Sequence, residues 1–149
     1  MNIYIGADHR GFKLKESLKK FLDNTEYEVI DLGNDHYDED DDYPDFAKKV
    51  AEKVSEDPEN NRGIVICRSG VGVSVTANKF KNVIAGLIFN SDQALLSRRD
   101  DNVNVLALAS EFINGDSAER IVDIWLRTPF SGKEKDERRL EKIKEIENG

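Results

Sequence analysis

Residues 64–79 read Ile64-Val65-Ile66-Cys67-Arg68-Ser69-Gly70-Val71-Gly72-Val73-Ser74-Val75-Thr76-Ala77-Asn78-Lys79. The stretch opens as an apolar β run and ends on the only cysteine of the chain, Cys67. A polar loop with two glycines follows, and then a helix-like segment over Val73–Lys79. Strand, glycine loop and helix in that order aim backbone N–H groups and the positive end of a helix at one spot. An anion there is stabilised, and a thiol there ionises more readily than one in water. The stretch predicts a site for a small anionic molecule with Cys67 as its reactive group.

Outward from this stretch, the same kind of unit recurs. Asn2–Ala7 reads as a short buried strand that ends on the polar turn Asp8-His9-Arg10-Gly11. A helix follows with Leu14, Leu18, Phe21 and Leu22 inward and Lys13, Lys15, Lys19 and Lys20 outward. Glu28–Leu32, Gly63–Cys67, Val83–Phe89 and Val103–Ala109 read as four further strands. Between them lie helices that open at Tyr43-Pro44, at a Ser91 cap and at an Asp116 or Ser117 cap. Glu134–Glu147 closes the chain as a charged helix with a thin stripe of Leu140, Ile143 and Ile146, suited to packing on a partner subunit. Apolar strands that alternate with amphipathic helices predict a doubly wound, three-layer, Rossmann-like α/β fold with a five-stranded parallel sheet. Residues 1–149 read as one domain. Ligands of such sheets bind at the carboxyl ends of the strands. That rule gathers Asp8-His9-Arg10, the Cys67 loop and the tail of the fourth strand.

The chain has 149 residues, 38% apolar and 35% charged, with a formal charge of −8. That acidity argues against a nucleic-acid or membrane surface, while leaving room for a local basic pocket. A single cysteine forms no internal disulfide, the first residues lack a signal-peptide pattern, and no apolar run approaches a membrane span, so a cytoplasmic protein is expected. The acidic run Asp38-Glu39-Asp40-Asp41-Asp42 lacks the spacing and the turn glycine of a calcium loop, and reads as a solvated loop rather than a metal site. Gly70-Val71-Gly72 is followed by Val75 where a dinucleotide fingerprint places its third glycine, which argues against a nucleotide. A cysteine hydrolase needs an imidazole beside the thiol, and the chain has only His9 and His36. At this point Cys67 reads either as a small buried apolar side chain or as a thiolate base, and His9 as a turn residue or an oxyanion ligand.

Several motifs taken together then narrow these alternatives: Gly6-Ala7-Asp8-His9, Asp42-Tyr43-Pro44, Gly63-Ile64-Val65-Ile66-Cys67 with Ser69-Gly70-Val71-Gly72, Ala77-Asn78-Lys79-Phe80 and Asn104-Val105-Leu106-Ala107-Leu108. On these the chain resembles, nearly end to end, the sugar-phosphate isomerase family of type B ribose-5-phosphate isomerases and galactose-6-phosphate isomerase subunits. The resemblance implies aldose–ketose isomerisation of a sugar phosphate through an enediol, without metal or organic cofactor. It also implies a homodimer or tetramer with the active site at the subunit interface. It assigns Cys67 as the base, Ser69 with Gly70, Val71 and Gly72 as the enediolate cradle, and Asp8 and His9 as holders of substrate hydroxyl and phosphate. Tyr43 would line the sugar pocket. Lys135 and Arg139 would supply phosphate cations from the C-terminal segment, with a one-residue insertion near Gly132. The chain departs from the family at three places. Asp100-Asp101-Asn102 stands where a ring-opening histidine motif, His-Asn-Asp, is usual, so Asp100 is expected to act as acid or base in its stead, with Asp101 beside the substrate. Ala109-Ser110-Glu111 replaces a phosphate-gripping Gly-x-Arg, and Arg68 replaces a glycine. Two other readings stay open with these departures: an isomerase for another or open-chain sugar phosphate, and a non-catalytic partner subunit, since one subunit type of the galactose-6-phosphate enzyme also lacks the histidine motif.

Overall fold

The computed structural model describes all 149 residues. Five strands are formed: β1 (Asn2–Ala7), β2 (Glu28–Asp31), β3 (Asn61–Cys67), β4 (Ala85–Leu87) and β5 (Val105–Ala109). Six helices accompany them: α1 (Phe12–Leu22), α2 (Tyr43–Glu56), α3 (Val71–Ala77), α4 (Ser91–Asp101), α5 (Gly115–Arg127) and α6 (Glu134–Asn148). The strands form one parallel sheet in the order β2-β1-β3-β5-β4. The doubly wound architecture expected from the alternating pattern is present.

The central strands are apolar throughout because both of their faces are covered. Their side chains still alternate. Ile64 and Ile66 of β3 and Leu106 and Leu108 of β5 pack toward α1, α4 and α5, around Leu18, Ile121 and the fully buried Trp125. Val65 and Cys67 of β3 and Val105 and Ala107 of β5 face α2 and α3, against Val50, Val54 and Val73. The odd–even register therefore places Cys67 on the α2–α3 side of the sheet, at its carboxyl end.

Some boundaries differ from the sequence reading. Helix α3 begins at Val71, two residues early, and is only seven residues long. Asn90 rather than Ser91 caps α4, accepting a hydrogen bond from the Gln93 amide at 2.8 Å. Asn114 rather than Asp116 or Ser117 caps α5, accepting from the Ser117 amide at 2.8 Å. In both, the side chain one step before the apolar period begins reaches the free amide of the third helical residue.

Lys15 is the larger correction. Helical spacing assigned it outward, yet it is fully buried. Its ammonium donates to Asp31 Oδ2 at 2.6 Å, to the Asn34 carbonyl at 2.6 Å and to Glu16 Oε1 at 3.1 Å. The partners come from the end of β2 and the following loop, which periodicity within α1 does not see. Burial alone pushes the Asp31 carboxyl up. The Lys15 and Lys19 ammonium groups and the Gly33 amide outweigh it and hold the group below its ordinary range.

Candidate active site

The turn after β3 is built around two glycines. Gly70 has φ +74°, in the left-handed region that only glycine enters freely, and a side chain there would run into Leu87 and the β5 backbone. Gly72 leaves the space that the Tyr43 ring fills at the start of α2. The amides of Ser69, Gly70, Gly72 and Val73 have no acceptor within the chain, while the Val71 amide donates to Ser69 Oγ at 3.3 Å. Loop amides, more than the short helix behind them, supply the positive potential at this spot.

These groups line a cleft of about 390 Å³ made by Asp8, Tyr43, Cys67, Arg68, Ser69, Val71, Gly72 and Val75. Cys67 is a free thiol, 5% exposed, that reaches this cleft rather than lying sealed in the core. Asp8 enters from the end of β1. Its Oδ1 accepts from the Arg10 and Gly11 amides at 3.0 and 3.1 Å. Burial raises its carboxyl above the ordinary range; the Gly11 amide and His9 pull it down only partly, and Asp41 adds to the rise.

His9 sits beside Asp8 and is held from the acidic loop. Asp41 Oδ1 accepts from the His9 amide at 2.9 Å and lies 2.7 Å from His9 Nδ1. Asp41 Oδ2 accepts from Asn34 Nδ2 at 3.0 Å. Burial pushes the Asp41 carboxyl up, but His9 and Asn34 hold it below its usual value. The loop read as a solvated acidic run thus has one member with a structural task, which sequence reasoning missed. The signal was weak: Asp41 is one of five consecutive acids, and only the fold shows which of them turns inward. Asp8, His9 and Asp41 also bring three possible metal ligands within 4.8 Å, although Asp41 Oδ1 and His9 Nδ1 are already engaged with each other.

The remaining expected site residues lie elsewhere. Helix α4 runs back from the carboxyl end of the sheet, so Asp100 and Asp101 sit at the amino end, just before β5. Asp100 accepts from Arg99 Nε at 2.8 Å, and that contact lowers its carboxyl. The burial that would turn Asp100 into a proton donor near neutral pH is absent within this chain. Asp101 is exposed, with its carboxyl raised by partial desolvation and by Asp100 and Asp136. Helix α6 lies under the same end: the Ser131 amide donates to the Arg99 carbonyl at 2.9 Å, and Glu147 accepts from the Asn82 amide at 3.2 Å. Lys135 and Arg139 of α6 are exposed there. Within one chain, Cys67 with Asp8, His9, Tyr43, Ser69 and Gly72 forms one group, and Asp100, Asp101, Lys135 and Arg139 form another at the opposite end.

Parallel strands, a glycine loop with free amides at the end of β3 and a cysteine in a small cleft define an α/β protein with a candidate small-molecule site at the carboxyl end of its sheet. A match to the ribose/galactose isomerase family covers residues 3–143, and the chain belongs to that family. It is 43% identical over 142 residues to a probable ribose-5-phosphate isomerase B of Mycoplasma genitalium, covering 95% of this chain and 93% of that protein. It is 35% identical over 147 residues to the ribose-5-phosphate isomerase B of Mycobacterium tuberculosis, covering 99% of this chain and 90% of that protein. The crystal structure of the Mycoplasma genitalium ribose-5-phosphate isomerase B with bound ribulose-5-phosphate superposes with a TM-score of 0.96 at 42% identity, over 99% of this chain and 96% of that one. The ribose-5-phosphate isomerase B of Clostridium thermocellum superposes with a TM-score of 0.94 at 44% identity, over 99% of this chain and 98% of that one.

Proposed function

We propose that this chain is an aldose–ketose isomerase of a sugar phosphate, interconverting ribose 5-phosphate and ribulose 5-phosphate or a close analogue. The observation that carries the proposal is the shared cleft of Cys67, Asp8 and the unpaired amides after β3. The Cys67 thiolate takes the proton from C2 of the aldose and returns it to C1. The electron pair moves onto the carbonyl oxygen O1 and gives an enediolate; the O2 proton then passes to O1 as C1 is protonated, which leaves the ketose carbonyl at C2. The free amides of Ser69, Gly70, Gly72 and Val73 stabilise that oxygen, where one such donor is worth about 10²–10³ in rate. Asp8 holds a substrate hydroxyl, and His9, oriented by Asp41, holds the phosphate end. No organic cofactor or metal has a part in these steps.

Lys135 and Arg139 join this site from a second copy of the chain, whose amino end of the sheet faces this cleft. Two features support that reading: their placement on the far end of their own subunit, and an exposed apolar rim of Tyr43, Val71 and Val75 at the cleft. The subunit folds as one domain over residues 1–149 and works in the cytoplasm, where a lone thiol stays reduced.

Incubation with ribose 5-phosphate in deuterated water is expected to place deuterium at C2 of the aldose. The Cys67→Ala variant is expected to lose about 10²–10⁴ in turnover. Absence of exchange with every pentose, tetrose and hexose phosphate tried would overturn the assignment. A second reading, a subunit active only with a paralogue, is favoured by the Asp100–Arg99 pair and by Glu111. Activity that appears only after mixing with that paralogue would select it.

A further inference from the structure

The cleft around Cys67 is lined on one side by the Asp8 carboxyl. A phosphorylated ligand entering it needs a cation. Among the eight residues that line the cleft, Arg68 is the only one. Arg99, beside Asp100, is at the far end of the sheet and is tied to Asp100.

Arg68 also lines a second cavity, of about 410 Å³, on the opposite side of the β3 turn, with Arg10, Lys13, Leu14, Ser17, Ser110, Glu111 and Gly115. Arg68 thus borders both cavities. Its Nε lies 3.4 Å from Glu111 Oε2, on the side of the second cavity. The backbones of the two residues are locked together: the Glu111 amide donates to the Arg68 carbonyl at 3.0 Å, and the Ser110 amide donates to the Cys67 carbonyl at 3.0 Å. The side chains are 59% and 49% exposed, so the pair itself is weak and exchanges partners readily.

We propose that Arg68 is a further cation for the ligand's phosphate, beside His9 and the second copy's Lys135 and Arg139, and that Glu111 is a latch that sets which anions succeed. Glu111 offers the guanidinium one carboxylate. A phosphate dianion carries twice the charge and a fork of oxygens that matches the guanidinium, so it displaces Glu111. A sugar acid with a single carboxylate only equals Glu111 and gains little. The pair therefore selects phosphate esters over monoanionic sugars. This inference rests on the isomerase reading for the identity of the ligand, but it is tested by binding and not by turnover.

The experiment is calorimetric titration of the full chain with ribose 5-phosphate and with ribonate, for the unaltered protein and for Arg68→Ala, Glu111→Gln and Lys13→Ala. Arg68→Ala is expected to weaken ribose 5-phosphate by about tenfold or more. Glu111→Gln is expected to tighten ribose 5-phosphate about threefold or more and to bring ribonate into the measurable range. Lys13→Ala, whose cation faces only the second cavity, is expected to change neither. Unchanged binding in Arg68→Ala overturns the proposal. So does equal weakening in Lys13→Ala, which would mean a diffuse field rather than a contact, and so does weaker binding in Glu111→Gln. Failure of the unaltered chain to bind any sugar phosphate removes this inference and the isomerase reading together. Binding with the expected pattern but without deuterium exchange keeps the inference and removes only the isomerase.

Discussion

Asp8 shows at the scale of one residue how the site trades stability for chemistry. Its carboxyl is buried, and burial outweighs the two amides that satisfy Oδ1. A carboxyl whose native pKa lies above its unfolded value costs stability wherever it is ionised, that is, above the unfolded value near 4. An amide keeps both backbone hydrogen bonds and carries no charge. Asp8→Asn is therefore expected to raise the melting temperature at pH 7, with the gain fading as the pH falls below about 4. The same variant is expected to lower kcat/KM for the sugar phosphate by roughly tenfold or more, because a charged acceptor for a substrate hydroxyl is gone. Melting curves at several pH values check the first half, and initial rates check the second. Cys67 was legible from sequence as a thiol at a strand end before a glycine loop. Which face of the sheet it takes was not, because the continuous apolar run Ile64–Cys67 hides the alternation that only packing reveals.

At the scale of elements, the buried Lys15 staples α1 to β2 and to the loop that carries Asn34. That loop in turn positions Asp41 and His9, so one buried cation connects the helix after β1 to the site. Asp31 is held below its ordinary range. Its contribution is therefore present above the unfolded carboxylate value and is lost as the pH falls through the lowered native value. Asp31→Asn leaves Lys15 buried with its principal counter-charge removed. The expected loss is about 3 kcal/mol at pH 7, shrinking below about pH 4, as read from urea unfolding of both proteins across that range. The helices and strands themselves were plain in the apolar periodicity of the chain. Their caps were shifted by one to three residues, since Asn90 and Asn114 compete with equally good Ser and Asp neighbours and only the turn geometry chooses between them.

At the scale of the whole molecule, the two groups of expected site residues face away from each other in one subunit. A site shared between copies makes a specific demand. Neither Cys67→Ala nor Arg139→Ala alone is expected to turn over substrate at more than a small fraction of the original rate. Unfolded together and refolded as a mixture, half of the dimers would carry one of each, and each such dimer has one intact site of two. About a quarter of the original activity is then expected to return. A mixture that stays as inactive as its components would mean that the site is completed within one chain. What this sequence determined by itself is the α/β class, the sheet content and the position of the Cys67 loop, because these follow from local periodicity, glycines and strand-end chemistry. What only the tertiary structure decided is the burial of Lys15, the inward turn of Asp41, the Arg68–Glu111 pair and the separation of Cys67 from Arg139. Each of these depends on which distant segments meet, and pairing across the fold leaves no periodic trace along the chain.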